Sequence, residues 1–190
     1  MNKIKLSFIF VFIIVSIFNI TGKDNPNIAV KSMDGEKSIK KIEFHKKIAI
    51  KTNNEVWNYL TKDKRNEKEN HEMITAAYTS FYHWNIIGKP INLQRECWLI
   101  SHVYAVTGKS NFAIYYAEKC MNLTKKHNFV DFDLAYAYEA LARAYASKGN
   151  SEKFSKYYKK ALQTGNKIKK KENKILFMKD FKTGPWYNMK

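Results

Sequence analysis

Residues 138–161 read YEALARAYASKGNSEKFSKYYKKA, and this stretch indicates the fold more clearly than any other part of the chain. Its apolar residues recur three or four positions apart, on one face of a helix: Tyr138, Leu141, Ala142 and Tyr145. Glycine and asparagine at 149–150 end that helix, and the same spacing resumes over residues 154–161. The stretch therefore predicts two antiparallel helices joined by a tight turn.

A similar helical pair is predicted upstream, on either side of Gly108. Its apolar positions follow the same spacing: Cys97, Ile100, Ser101 and Tyr104, then Ala113, Ala117, Cys120 and Met121. Hairpins that repeat in this way stack on one another, because each one alone leaves an apolar face uncovered. The glycines that end the two first helices, Gly108 and Gly149, lie 41 residues apart.

The two units resemble tetratricopeptide repeats (TPRs), at about residues 94–127 and 135–168. The positions that fit the family pattern best are Tyr138, Leu141, Ala142, Tyr145, Tyr158 and Ala161. The common TPR period is about 34 residues, so segment 124–132 is expected to lengthen a turn or the helix before it. The pieces YHW at 82–84, WLISHVYAVTG at 98–108 and DFDLAYAYEALARAYA at 131–146 also resemble a group of small exported bacterial repeat proteins. That resemblance implies an architecture and no known activity.

The segments on either side extend this arrangement. Residues 38–60 and 72–87 carry helical apolar stripes and predict a degenerate first hairpin, and residues 172–181 predict a helix that covers the last apolar face. Ser110, Asp131 and Ser151 are the expected N-caps of the helices that follow them. Residues 38–190 are therefore predicted to form one all-α domain, with antiparallel helical hairpins stacked as a short TPR-like superhelix and a C-terminal capping helix.

The first 22 residues have the composition of an export signal. Two lysines precede an uncharged apolar run, residues 6–22, which is short for a membrane-spanning helix of about 20 residues. Residues 1–22 are predicted to act as a signal peptide or as an uncleaved signal-anchor, and residues 23–37 as a disordered spacer. Either way we expect an exported protein that is periplasmic, secreted, or membrane-anchored through residues 6–22.

The chain carries a formal net charge of +17, with 34 basic residues against 17 acidic ones. Arg65, Arg95 and Arg143 are its only arginines, and arginine is the residue that makes paired contacts with phosphates and bases. Nucleic acid is therefore not expected as the partner, and the lysines are interpreted as a solvated surface that can lie near anionic lipid. Cys97 and Cys120 are expected to be buried small side chains, with a disulfide as the alternative.

The sequence lacks the common motifs of catalysis, with no glycine-rich phosphate loop, no metal-spaced Cys/His cluster and no nucleophile elbow. The five histidines are scattered along the chain, so no metal site and no cofactor are predicted. Glu139 and Arg143 have the i,i+4 spacing of an ordinary ion pair on one helix. We therefore expect a non-enzymatic protein.

The expected function is protein–protein interaction. Proteins of the TPR family bind peptides on the exposed faces of their first helices, and the resemblance places six residues in such a groove here: Arg95, Trp98, His102, Tyr136, Glu139 and Arg143. Arginines and aromatic rings would suit an extended protein or peptide segment with an acidic side chain or a C-terminal carboxylate. The competing interpretation is that Trp98 and Tyr136 are core residues and that Arg143 only pairs with Glu139.

Two other arrangements stay open at this point. A pocket around His83, Trp84, His102 and Glu139 would indicate an envelope enzyme or a small-ligand binder, and a deep closed cavity would favour that interpretation. The second arrangement is a homodimer through the exposed end of the stack, because two or three repeats bury little surface on their own.

Overall fold

The computed structural model describes residues 33–189, with the side chains of residues 38–189. Within that range the chain forms seven helices and no strand: α1 (Met33–Leu60), α2 (Glu67–Ile87), α3 (Pro90–Val106), α4 (Ser110–Lys126), α5 (Asp131–Lys148), α6 (Ser151–Asn166) and α7 (Lys171–Thr183). The all-α fold is therefore confirmed. The predicted signal segment, residues 1–22, lies outside the described residues, and in the described part no helix has the length and apolar character needed to cross a membrane.

Consecutive helices pack as pairs. α1 packs against α2, α3 against α4 and α5 against α6, and the short turns between them make each pair antiparallel. Neighbouring pairs are joined by contacts of α2 with α3 and of α4 with α5, and α3 also packs directly on α5. α7 packs on both α5 and α6. The structure thus confirms stacked antiparallel hairpins followed by a C-terminal helix that covers the last one.

Several helices are longer than the sequence predicts. α1 begins at Met33, inside the segment predicted to be a disordered spacer, and α2 begins at Glu67 rather than at residue 72. The early start of α2 has a local cause, a capping box in which the Asn66 side chain accepts from the Glu69 N–H at 2.8 Å and the Glu69 carboxylate accepts from the Asn66 N–H at 2.9 Å. α3 and α4 have 17 residues each, so the repeat is longer than the common TPR period because its helices are long.

The predicted N-caps are wrong by one position. Ser110, Asp131 and Ser151 are each the first residue of their helix, so the residue before each of them occupies the cap position. Asn150 caps α6, where its side chain accepts a hydrogen bond from the Lys153 N–H at 2.9 Å. The Asp131 carboxylate instead accepts from the backbone N–H of Lys169 at 3.0 Å, and so links the start of α5 to the segment before α7.

Small side chains place α5 at the centre of the described structure. Twelve of its eighteen residues are buried, and six of these are alanines: Ala135, Ala137, Ala140, Ala142, Ala144 and Ala146. An alanine side chain lets a neighbouring helix approach closely, so α5 can contact α3, α4, α6 and α7 at once. The residues that α5 turns towards α3 and α7 therefore lie inside the protein.

The capping helix packs on α6 through a glycine. A Cβ atom on Gly165 would lie 2.0 Å from the Phe177 ring, and Phe177 is fully buried. Phe177 also stacks on Phe181 of α7, with ring centroids 5.5 Å apart. The close approach of α6 and α7 thus depends on the missing side chain at residue 165.

Both cysteines are free and buried. Burial raises the pKa of the Cys97 thiol to about 12, and it raises the pKa of Cys120 well above its usual range. The prediction that these residues act as small core side chains is confirmed, and a disulfide between them is not present.

Candidate functional site

An open groove of about 1290 Å³ lies on the face formed by the first helices of the hairpins. Its lining comes from α1, α3 and α5, from the turn between α1 and α2, and from the end of α7 with the segment that follows it. The groove therefore runs across all three hairpins. It is continuous from the charged turn at 61–65 to the C-terminal residues at 183–187.

Two tryptophans form an aromatic floor in this groove. The ring of Trp57 on α1 stacks on that of Trp98 on α3, with centroids 6.0 Å apart and planes inclined by 26°. His102, one turn further along α3, meets the Trp98 ring edge-on at 5.4 Å. Leu60 and Val106 extend the apolar lining from the same two helices. Such a surface can take an apolar side chain by burial and by ring stacking.

A buried ion pair supports the floor from below. Arg143 and Glu139, both on α5, form a salt bridge in which the Arg143 Nε donates to Glu139 Oε1 at 2.7 Å. The Trp98 indole Nε1 donates to the other carboxylate oxygen of Glu139 at 2.7 Å. Arg143 and Glu139 are only 2% and 1% exposed. The two charges therefore compensate each other, and the pair fixes the orientation of the Trp98 ring.

Arg143 also joins the floor to the C-terminal segment. Its guanidinium donates to the carbonyl oxygen of Gly184 and lies over the Trp186 ring, 5.3 Å from the centroid. Trp186 is 7% exposed, and its indole Nε1 donates to the carbonyl oxygen of Phe181 at 3.1 Å. Anchored in this way, the segment brings Pro185 and Tyr187 into the lining as one wall of the groove.

His102 is a neutral hydrogen-bonding group at the floor. Burial, together with the positive charges of Arg143 and Arg65, lowers its pKa well below the usual range. Its Nδ1 atom is buried and has no hydrogen-bond partner among the described residues. The ring therefore keeps one nitrogen for which the described part of the chain supplies no partner.

Asp180 is the acidic residue of the C-terminal wall. Burial raises the pKa of its carboxyl group from 3.8 to about 6, and the negative charge of Glu139 acts in the same direction. The Tyr136 hydroxyl donates to Asp180 Oδ2 at 2.7 Å, which opposes that rise. Asp180 Oδ1 is buried without a partner among the described residues. The groove thus contains two side chains, His102 and Asp180, whose polar atoms are incompletely paired.

The rim of the groove is basic at the turn between α1 and α2. Lys62, Lys64 and Arg65 lie there beside a single acid, Asp63. Lys62 is held by Glu69 at 2.6 Å, and Arg65 donates to the carbonyl oxygen of Tyr59 at 3.1 Å. Lys64 is exposed. This end of the groove therefore presents positive charge to a ligand.

Three of the six residues predicted to form a groove line it in the structure, and three do not. Trp98, His102 and Arg143 line it, and the i,i+4 pair of Arg143 with Glu139 is present. Tyr136, 3% exposed, and Glu139 lie beneath the floor and do not line it. The competing interpretation, with Trp98 and Tyr136 as packed residues, therefore describes their burial correctly.

Arg95 does not line the groove either. Its guanidinium is engaged by the Asp133 carboxylate, with Arg95 Nε 2.8 Å from Oδ1 and Nη2 3.3 Å from Oδ2. This paired contact links α3 to α5 and leaves Arg95 with a structural role. Arg95 was expected to face a ligand, but in the structure it forms a contact between two helices.

The four residues of the alternative pocket do not all line one cavity. His83 on α2 lies against His45 on α1, with their Nδ1 atoms 2.8 Å apart. Of His83, Trp84, His102 and Glu139, only His102 lines the groove. Across the part of the chain that the structure describes, no group of three or more His, Cys, Asp or Glu side chains could hold a metal ion.

The walls at both ends of the groove are not predicted from the sequence. Trp57 is one residue among several in the apolar stripe of residues 38–60, and residues 61–65, TKDKR, have the composition of an ordinary charged turn. The residues after α7 carry a local signal, a glycine and a proline followed by two aromatic residues. That signal indicates a turn with an anchor, but it does not indicate which helices the anchor contacts.

Comparisons with known proteins do not change this description. No protein-family model matches the chain, and no curated protein or solved structure matches it either. The resemblance to TPRs therefore stays a prediction carried by the spacing of the apolar residues.

Proposed function

We propose that this chain is a TPR-type interaction module, without enzymatic activity, that binds an extended peptide or protein segment in the groove. The observation that carries the proposal is the extent of the groove, which crosses α1, α3 and α5 and measures about 1290 Å³. Pockets for small ligands usually measure about 300–1,000 Å³ and enclose most of the ligand. An open groove above that range suits a chain segment better than a small molecule.

The lining suggests the chemistry of the segment. Trp57 and Trp98 favour a large apolar side chain, while Lys64 and Arg65 favour an acidic side chain or a C-terminal carboxylate. Asp180 Oδ1 is an acceptor, and His102 Nδ1 is an acceptor in the neutral tautomer that carries its proton on Nε2; both suit the N–H groups of a peptide backbone once the groove opens slightly around it. The ligand that fits best combines an apolar anchor with negative charge.

The proposed location of this activity rests on the N-terminal sequence alone. The apolar run at residues 6–22 supports an exported or envelope-associated protein, so the partner would be an exported protein or the exported part of a membrane protein. The scarcity of arginine supports a protein partner over nucleic acid.

The experiment is a panning of the full chain against a random-peptide display library, followed by calorimetric titration of the enriched peptides. Lys64→Glu reverses an exposed charge at the rim and is expected to weaken binding about tenfold, a loss of about 1.4 kcal/mol. Trp57→Ala removes half of the aromatic floor and is expected to weaken binding more, because buried tryptophans are typical binding anchors.

The matched control is Lys159→Glu, which makes the same charge change at an exposed position on α6 outside the groove lining. It is expected to leave the affinity unchanged. Equal affinities for the wild type, Lys64→Glu and Trp57→Ala would contradict the proposal. So would a failure of the library to enrich any peptide on the wild-type chain.

A further inference from the structure

A second surface of the molecule lies away from the groove, where the start of α1 meets the end of α2. Five large apolar side chains are exposed there: Ile39 at 46%, Ile42 at 49%, Phe44 at 58%, Tyr82 at 61% and Ile86 at 43%. We call these five residues the α1–α2 patch. Exposed apolar side chains that occur singly need no explanation, but a concentration of them marks a contact surface.

Ring contacts make the centre of the α1–α2 patch continuous across the two helices. The Phe44 ring lies 6.3 Å from that of His83, and Tyr82 meets the same histidine ring at 5.3 Å. His45 and His83 fill the space between the helices. The aromatic side chains are therefore held in place while their outer faces stay open to solvent.

The first turns of α1 project beyond the helix it packs against. His45 lies opposite His83, and α2 ends four residues later at Ile87, whereas α1 extends back by twelve residues to Met33. In an antiparallel pair this difference leaves the start of α1 without α2 beside it. Ile39 lies on this projecting part, and Ile42 lies opposite the last turn of α2.

Most of the charges around the patch are positive. Its surroundings contain six lysines, all exposed: Lys40, Lys41, Lys46, Lys47, Lys51 and Lys89. Glu43 is the one acid between residues 38 and 51, and the sequence has no acid between Glu72 and Glu96. At the opposite end of the same hairpin, residues 61–72 carry four basic and four acidic residues. The excess of positive over negative charge is therefore larger at the end that also exposes the apolar side chains.

We propose that the α1–α2 patch docks onto the surface of an anionic phospholipid membrane. Exposed aromatic and branched apolar side chains enter the headgroup region, and lysines around them attract anionic lipids at about 1 kcal/mol per basic residue near the surface. Aromatic residues with one polar end, such as Tyr82, are the type found at membrane interfaces.

The position of the patch in the chain favours this partner. Ten residues, 23–32, separate the apolar run at 6–22 from the start of α1, and ten residues span at most about 35 Å. A run retained in a membrane would hold the start of α1 close to that same membrane. A second copy of the chain is a poorer partner, because two patches of this kind would bring a dozen lysines together.

A fluorescence measurement on the full chain tests the proposal. Ile42→Cys is labelled with the environment-sensitive dye NBD, and Ile175→Cys, an isoleucine of 58% exposure on α7, is the matched control. Cys97 and Cys120 are buried and have raised pKa values, so they stay unlabelled. The labelled proteins are incorporated into vesicles of phosphatidylcholine with phosphatidylglycerol, or of phosphatidylcholine alone.

The expected result is a several-fold rise in emission, with a shift to shorter wavelength, at position 42 in the anionic vesicles. Lys41→Glu combined with Lys47→Glu should abolish the rise, and Lys159→Glu combined with Lys171→Glu should preserve it. A rise at both labelled positions would mean unspecific adsorption of a basic protein. The proposal is overturned if emission does not rise at position 42, or if it rises equally without anionic lipid. It is also overturned if emission is already high before vesicles are added, because that would indicate self-association.

Discussion

The first helices of the first and third hairpins differ in burial, although they occupy equivalent places in the stack. α5 buries twelve of its eighteen residues, whereas between residues 38 and 60 α1 buries only Ala49, Thr52 and Val56. Each helix has an ion pair at i,i+4 spacing. In α5 the side chains of Arg143 and Glu139 are 3% and 1% exposed, and in α1 those of Lys51 and Glu55 are 74% and 44% exposed.

On the proposed function, this difference separates the residues that stabilise the fold from those that bind. α5 lies between four other helices, so its polar groups must pair inside the protein. α1 contacts fewer elements, so its apolar and charged side chains stay available to a partner. We therefore expect substitutions in α5 to act on folding, and substitutions in the exposed part of α1 to act on recognition.

The largest expected effect is that of Arg143→Met. It leaves the Glu139 carboxylate buried without its charge partner, which typically costs about 3–5 kcal/mol. Urea denaturation followed by circular dichroism measures the loss, and Lys51→Met on α1 is the matched control, for which no measurable change is expected because the pair is exposed. Similar small losses for both variants would contradict the proposed difference between the helices.

Glu96 is a buried carboxylate without an arginine partner, so its negative charge should destabilise the fold. Glu96 on α3 is 3% exposed and accepts from Asn53 at 3.3 Å, and burial raises its pKa from 4.5 to about 8. Because the unfolded chain loses this proton at lower pH than the folded one, folding stability should fall as the pH rises from about 4.5 to about 8.

Glu96→Gln removes that dependence, because an amide does not titrate. We expect the variant to be more stable than the wild type by roughly 2–4 kcal/mol near pH 8, and nearly equal to it near pH 4. Urea denaturation at several pH values measures the difference. The exposed control Glu43→Gln should keep the pH dependence of the wild type, and a Glu96→Gln curve parallel to that of the wild type would refute the assignment.

Gly165→Ala tests how closely α7 covers the last hairpin. The added methyl group would lie 2.0 Å from the buried Phe177 ring, so the helices must separate, at a cost of about 1–3 kcal/mol. Thermal unfolding measures the loss. Gln163→Ala, an exposed position on the same helix, should leave the melting temperature almost unchanged. Equal melting temperatures for the two variants would show that α7 is not tightly packed there.

The smallest effect is expected at the exposed side chains of α1. Ile42→Ser should change the free energy of unfolding by no more than about 0.5 kcal/mol, because the side chain is 49% exposed. Thermal unfolding without lipid measures this value. A large loss would show that Ile42 supports the fold and would remove it from the recognition surface.

The sequence predicts the hairpins because their apolar spacing and their glycine turns agree. Gly149 adopts a left-handed conformation, with φ of 75°, at the turn that the sequence marks most clearly. The boundaries are less predictable, since a serine or aspartate in the first turn can serve as the cap or as the first helical residue. Ser110, Asp131 and Ser151 are examples of the second case.

The candidate site is only partly readable in the sequence. Trp98, His102 and Arg143 could be placed in a groove because the resemblance to TPRs assigns the groove to the faces of the first helices that carry them. The partner of Arg95 could not be foreseen, because Asp133 lies 38 residues away and meets it only through the packing of α3 on α5. The wall formed by Pro185 and Tyr187 depends in the same way on where Trp186 is buried.

Amide hydrogen exchange with a library-selected acidic peptide tests the central claim most directly, namely that the first helices form a peptide-binding groove. At saturating peptide the full chain should exchange more slowly at residues 57–65 and 184–187, with little change in α4 and α6. Protection confined to α4 and α6, or no protection at all while the peptide is bound, would contradict the account.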